Sequence, residues 1–324
     1  GTGPDGFGIS VSIGDENLRL VGAYLDDVGG RFSGAAYIYE LGTDGTWSEE
    51  AKLFNSAPAV SDFFGSAVAI SGTWALVGAP GDDTRQGAVM FYQRRVDGVW
   101  AASPKIFANP RSANASFGDA VAIDGDRAIV GSPDHTSQTG RAYILERSGT
   151  TWTQTAILAG SNATTGYQFG TSVAIDGDWA IVGTRYRGVA YFFRRDATTG
   201  TWSEFAGITG SSSGFGASVG ISGDRAVVGT LTGKCYPEVG PGEAHIFEFD
   251  PYDNRWLERA RLTPRDSSLC GFGRSVSISG DRVLVGVGAP GYEGDPGYEF
   301  QPAYLFVRDG DGTWIERERL MCGR

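Results

Sequence analysis

The side chains of this chain best suited to bind or react are carboxylates, and they recur at related places. Asp26-Asp27 and Asp82-Asp83 each follow an apolar run, and Asp134 stands in a similar setting further on. Neighbouring carboxylates in a loop accept N–H groups of a turn, meet a cationic partner, or ligate a divalent ion. The turn reading is favoured over a metal. The corresponding later segments carry Arg185, Arg187 and Lys234, then Glu293, Asp295 and Glu299. That alternation predicts a charge-polarised face, with Asp26, Asp27, Asp82, Asp83 and Glu293 as candidate partner contacts. Tyr236, Tyr292 and Tyr298 lie in the least regular stretches and join them as candidates.

Nucleophilic and metal chemistry have little to work with. There are two histidines. His135 sits beside Asp134 with no Cys or second His nearby, which makes neither a triad nor a metal site. No nucleophile elbow, phosphate loop or dinucleotide fingerprint is present. No catalytic residue, metal or cofactor is therefore assigned. Trp74 and Trp179 stand at the ends of the first hairpins, where they are able to stack on a sugar or a partner. A surface tryptophan lying on its own sheet is the commoner outcome.

What positions these residues is a repeat. Phe-Gly occurs at Phe7, Phe64, Phe117, Phe169, Phe215 and Phe272, in steps of 57, 53, 52, 46 and 57 residues. After each, Val and Ile alternate with Ala, Ser or Gly, as in Ser66-Ala-Val-Ala-Ile70; period two means a strand with one bulky and one small face. A tight turn such as Asp124-Gly125-Asp126 leads to a second strand, Ala128-Ile-Val-Gly131. A variable loop, a third strand (Gly140–Leu145) and a fourth strand opened by Trp152 complete the unit. Four antiparallel strands repeated six times cannot bury their faces singly, and radial stacking solves this. The expectation is an all-β, six-bladed β-propeller over residues 1–324 as one domain. Its blades are 7–63, 64–116, 117–168, 169–214, 215–271 and 272–324, with each repeat supplying a whole blade. His245 falls in the column of Tyr37, Tyr143 and Tyr191 and reads as a packing residue.

Composition agrees. With 41% hydrophobic residues the chain can build a core, and 50 glycines suit many tight turns. A net charge of −11 argues against nucleic acid and anionic membranes. No apolar run approaches a membrane span. Cys235 and Cys270 fall in two loops on the same side of blade five and are a candidate disulfide, whereas Cys322 has no evident partner. Asn114 and Asn162 open glycosylation sequons in the loops entering blades three and four.

Repeat two, with Phe64-Gly65, Val68-Ala-Ile70 and Val77-Gly78-Ala79-Pro80, resembles the FG-GAP repeat of the integrin α-subunit propeller. The likeness runs from Phe7 to Leu320. It implies a propeller, extracellular and engaged in adhesion or recognition. Six repeats replace the integrin seven, and no Asp-x-Asp-x-Asp-Gly calcium loop is present. The resulting expectation is a non-catalytic extracellular module that binds a protein partner through the loop-bearing face. A glycan-binding lectin-like propeller, a subunit of an extracellular filament and a polysaccharide-cleaving enzyme are the alternatives.

Overall fold

Period-two alternation places bulky and small side chains on opposite faces of every inner strand, and the architecture follows from covering both. The computed structural model describes residues 5–14, 17–210, 212–231, 242–265, 271–288 and 302–321. It is a six-bladed β-propeller of four-stranded antiparallel sheets, each built from consecutive strands. Two compact units divide the chain, Gly1–Gly170 and Thr171–Arg324.

Unit 1 holds three blades. The first is β1 (Phe7–Ile13), β2 (Leu18–Ala23), β3 (Ala35–Leu41) and β4 (Trp47–Leu53). The second is β5 (Val68–Ser71), β6 (Trp74–Ala79), β7 (Ala88–Arg94) and β8 (Trp100–Ala102). The third is β9 (Ala120–Asp124), β10 (Arg127–Ser132), β11 (Arg141–Ser148) and β12 (Thr151–Leu158). Unit 2 holds the other three. They are β13 (Ser172–Asp176), β14 (Trp179–Gly183), β15 (Val189–Arg195) and β16 (Trp202–Thr209); β17 (Phe215–Ser222), β18 (Arg225–Thr230), β19 (Glu243–Asp250) and β20 (Arg255–Leu262); and β21 (Phe272–Ser279), β22 (Arg282–Val287), β23 (Ala303–Arg308) and β24 (Trp314–Leu320). The third and fourth strands of blade one slip register between Ile38 and Tyr39, and blades three to six do so at the matching place. An extra residue of this kind bends and twists the outer strand.

The core is made between blades. In unit 1, Leu20 and Ile38 of blade one pack with Phe64, Val68 and Ile70 of blade two. Leu76, Val89 and Phe91 of blade two do the same with Phe117 and Ala128 of blade three. In unit 2, Ile181 and Phe192 meet Val219 and Ile221, and Val227 and Ile246 meet Ile278 and Val283. A fully buried side chain of this size contributes roughly 1.5–3 kcal/mol, so each seam is held mainly by apolar burial. The bulky column of β1 (Ile9, Val11 and Ile13) is exposed.

The Phe-Gly signature marks the seam itself. Phe64, Phe117 and Phe169 are fully buried, and each donates its backbone N–H to the preceding blade, to Ser33, Gln86 and Thr139 at 3.1 Å. The following glycine sits against the Val-Gly glycine of the preceding blade. A Cβ on Gly78 would lie 2.0 Å from the Gly118 carbonyl oxygen, and one on Gly22 would lie 1.9 Å from that of Gly65. No side chain fits there. Two loops pay a conformational cost to reach the seam. Asp83, Thr84 and Arg85 have φ of 49°, 56° and 67°, and Thr136, Ser137 and Gln138 have 49°, 55° and 64°. Left-handed conformation costs a non-glycine residue about 1–2 kcal/mol. Hydrogen bonds from Gly87 N to Asp82 O (2.9 Å) and from Gly140 N to His135 O (3.0 Å) close these turns.

Gly78→Ala is expected to lower stability by about 3 kcal/mol or more, since overpacking against a backbone carbonyl cannot be relieved by a rotamer. Gly8→Ala, with nothing within 4 Å of the added carbon, is expected to cost only about 1 kcal/mol of left-handed strain. Thermal melts of the two variants beside the parent protein measure both, and equal losses would show that the seam contact does not govern stability.

Candidate functional site

The loop carboxylates are built into the blades. Asp26, which follows β2, is buried and accepts hydrogen bonds from Lys52 Nζ (2.7 Å), Tyr37 OH (2.8 Å) and Val28 N (2.9 Å). Burial alone would raise its pKa, but the bonds from Lys52, Tyr37 and Val28 outweigh it and hold the carboxyl below its ordinary value. Asp82 takes the same place in blade two. It lies 2.5 Å from Lys105 Nζ and accepts from Asn55 Nδ2 at 2.8 Å. The same Asn55 nitrogen donates to buried Asp62, also at 2.8 Å. Burial, then the Asp82 charge, raises the Asp62 carboxyl above its usual range despite bonds from Ala59 N and Asn55. These pairs tie the loop after the second strand to the outer edge of the blade. Asp27 and Asp83 are exposed; Asp27 caps Phe32 N at 2.8 Å and Asp83 pairs with Arg111 at 2.9 Å.

In blade three the alignment shifts by one residue. The turn-closing bonds to Asp26 O, Asp82 O and His135 O put His135, not Asp134, at the conserved place of the turn. His135 is buried, its Nδ1 is 2.6 Å from Thr136 Oγ1, and burial together with the Arg141 charge lowers its pKa. Asp134 instead accepts from Ser116 Oγ (2.9 Å) and Gln168 Nε2 (3.0 Å). Of the five acids described in these loops, Asp26 and Asp82 are thus buried. His245 packs edge-on to Phe215 and contacts Glu258 at 3.0 Å. Among the described residues, no group of three or more His, Cys, Asp or Glu gathers as metal ligands.

The open site lies at the hairpin ends of unit 2, the opposite ends of the strands from those loops. A groove of about 680 Å³ is bounded by the turn after β13, the turn after β15, the start of β16 and the turn after β17. Trp179 forms one wall. Its ring centroid is 5.0 Å from Phe205 and Phe249 and 5.1 Å from Trp256. Arg194, paired across the sheet with Trp179, carries its guanidinium 5.2 Å above the indole. Arg195 approaches Asp178 at 3.6 Å, and Asp176 reaches into the neighbouring hairpin to accept Gly223 N at 2.6 Å. Asp196 accepts from Thr199 N, Thr198 N and Thr199 Oγ1, bonds that lower its pKa and keep it charged. Glu204 and Asp224 complete the carboxylates of the groove.

Unit 1 repeats the shape with no carboxylate and with Arg95 as the one charged lining residue. A groove of about 580 Å³ forms at Trp74, whose ring meets Trp152 at 5.7 Å. The register puts Gln93, Ala102 and Ser103 where unit 2 has Arg194, Glu204 and Phe205.

Sequence reasoning singled out Trp179 but missed its neighbours. Asp176, Asp178 and Asp224 read as turn residues, and Asp196, Arg194 and Glu204 drew no notice. The available signal was that Trp74 and Trp179 depart from the arginine at that position in blades three, five and six. Tyr236, Tyr292, Glu293, Tyr298, Cys235, Cys270 and Cys322 lie outside the described residues. Asn114 and Asn162 are exposed, but Ser116 of the first sequon is buried and bonded to Asp134.

The FG-GAP repeat family matches residues 1–39, 47–92, 100–145, 152–191 and 256–306. No curated protein matches the chain in sequence. Among solved structures, a candidate 6-phosphogluconolactonase from Bacteroides uniformis is similar over 97% of this chain and 85% of its own, with 13% identity and a TM-score of 0.65. One from Bacteroides fragilis matches 96% and 83%, with 11% identity and a TM-score of 0.63. The periplasmic gluconolactonase of Pseudomonas aeruginosa matches 97% and 85%, with 14% identity and a TM-score of 0.59. At these identities the likeness is one of fold. It nevertheless overturns the expectation of a non-catalytic adhesion module, because the neighbouring propellers are named as lactonases. The lectin and filament readings fall with it. No helix among the described residues is long and apolar enough to cross a membrane.

Lys105→Met leaves Asp62 and Asp82 buried without their cation and is expected to cost about 3–5 kcal/mol. Adding Asp82→Asn should recover part of that loss; a double variant no more stable than Lys105→Met would refute the pairing. For His135 the folded pKa is depressed, so its stabilising effect is present above the unfolded value of 6.5 and is lost as pH falls below it. The melting temperature of the parent should therefore drop more steeply from pH 7 to about pH 5 than that of His135→Gln. Parallel curves would rule out this linkage.

Proposed function

The chain belongs to the FG-GAP repeat family, and on that scaffold we propose that the groove of unit 2 hydrolyses a cyclic ester of a sugar acid. The observation that carries this reading is the grouping, in one groove, of carboxylates, guanidinium groups and aromatic edges: Asp178, Glu204, Arg194, Arg195, Trp179 and Phe205. The names of the solved neighbours support it.

Lactone opening needs three things from a protein: a surface for the ring, a base for water and positive charge for the developing oxyanion. Trp179 and Phe205 offer apolar edges to the C–H face of a sugar ring. Glu204 takes a proton from water as the water oxygen adds to the carbonyl carbon. Arg194, held over Trp179, faces the carbonyl oxygen as negative charge builds there. The ring C–O bond then breaks, and the ring oxygen leaves as an alcohol with the proton that Glu204 carried. Asp178 orients Arg195 in the lining of the groove. Atoms balance with water as the only co-reactant, and the product is a hydroxy acid. Export from the cytoplasm belongs to the same reading, on the ground that one neighbour is named as periplasmic.

Glucono-δ-lactone opening, followed by pH-stat against the spontaneous rate, tests the proposal in the purified protein and in periplasmic and cytosolic fractions of its source. Glu204→Gln is expected to lower kcat by about 10²–10⁴-fold, the usual contribution of a general base. Arg194→Met is expected to lower kcat by roughly 10²-fold with little change in KM. A rate no faster than the spontaneous reaction, or variants as active as the parent, would overturn the reading.

A further inference from the structure

The neighbouring propellers carry names of two kinds, one for a phosphorylated lactone and one for an unphosphorylated lactone. We infer that the unit 2 groove takes a neutral, unphosphorylated sugar lactone and disfavours the phosphorylated form. This inference rests on the groove assigned above and concerns the charge of its ligand.

The lining decides the sign. Five carboxylates and two guanidinium groups border the groove, a formal charge of −3. Both guanidinium groups are already committed, Arg194 to the carbonyl oxygen of the lactone and Arg195 to the Asp178 carboxylate. Arg194 lies over Trp179 and Phe249, at 5.2 and 5.7 Å from the ring centroids, and Arg195 faces Asp178. A phosphate carries nearly two negative charges at neutral pH and is bound through forked arginine contacts or clusters of backbone N–H groups. The groove presents the reverse arrangement. Its turn N–H groups at Thr198, Thr199 and Gly223 point to the carboxylates of Asp196 and Asp176. Those donors are spent on fixed negative charge, so an incoming phosphate would meet acceptors where it needs donors. The net charge of −11 on the whole chain adds a long-range field of the same sign.

The hydroxyls of a neutral polyol, by contrast, are donors as well as acceptors and pair with carboxylates without a charge penalty. The indole and phenyl edges supply the apolar half of the contact. The same field acts on the product. Ring opening converts a neutral ester into a carboxylate, and the negative groove repels it, which favours release. Substrate and product are thus told apart by charge.

Two measurements test this, one independent of turnover. In the first, kcat/KM is compared for glucono-δ-lactone and its 6-phospho derivative. The neutral lactone is expected to be preferred at least about tenfold near 20 mM salt, and the preference should narrow near 300 mM as the screening length falls from about 20 to about 6 Å. Asp224→Lys, at the exposed rim, should shift the ratio toward the phosphorylated lactone by about three- to tenfold. In the second, tryptophan fluorescence is titrated with glucitol and with glucitol 6-phosphate, and glucitol should bind at least about tenfold more tightly. A phosphorylated ligand handled as well as or better than the neutral one in either measurement overturns the inference. If neither lactone is opened but glucitol still outcompetes its phosphate, the catalytic reading fails and the charge selection stands. If neither lactone is opened and neither polyol binds, both fail.

Discussion

Each seam of this protein within its two units depends on two backbones touching through glycine. The Val-Gly glycine that ends one blade's second strand lies against the carbonyl of the Phe-Gly glycine that opens the next blade. For Gly78 and Gly118 an added carbon would stand 2.0 Å from that oxygen. With the backbones this close, the adjacent phenylalanine is driven into the seam and the flanking Val and Ile meet the Leu and Ile of the preceding sheet. Dispersion and apolar burial then act across the full length of the strands. The glycines contribute little energy themselves; they set the distance at which everything else packs.

That close approach explains the fate of the acidic loops. The chain leaving a Val-Gly glycine has to turn back at once, and in blades two and three it does so through three consecutive left-handed residues. The residue that opens this loop, in blade one as well, has a buried side chain. In blades one and two that side chain is Asp26 or Asp82, neutralised by Lys52 or Lys105. In blade three it is His135, neutral under burial. A lysine and a neutral imidazole solve the same electrostatic problem in different ways. These carboxylates are therefore anchors of the loops.

The unit 2 groove arises where packing is least constrained. Hairpin turns need only satisfy local φ and capping, so their side chains vary while the blade stays the same. Trp179 and Trp74 each lean on the outer tryptophan of the next blade and open a hollow beside the turn. In unit 2 the hollow gathers acids and arginines; in unit 1 the equivalent positions hold Gln93, Ala102 and Ser103. One scaffold feature thus yields a groove rich in carboxylates in one unit and one without them in the other.

The sequence by itself determined the six blades, their four strands, the Phe-Gly that precedes each inner strand and the packing role of His245. All of these follow from periodicity and from residues whose conformational needs are local or repeated six times. It did not determine which carboxylates are buried. The positions of Lys52 and Lys105 relative to Asp26 and Asp82 depend on strand pairing and loop path over more than twenty residues. Nor did it reveal the groove, since Asp176, Arg194 and Glu204 come from separate turns and strands that meet when blade four folds, and Asp224 joins them from blade five. Repetition makes a scaffold legible from one chain. A site made from what differs between repeats becomes visible only once the tertiary structure brings those differences together.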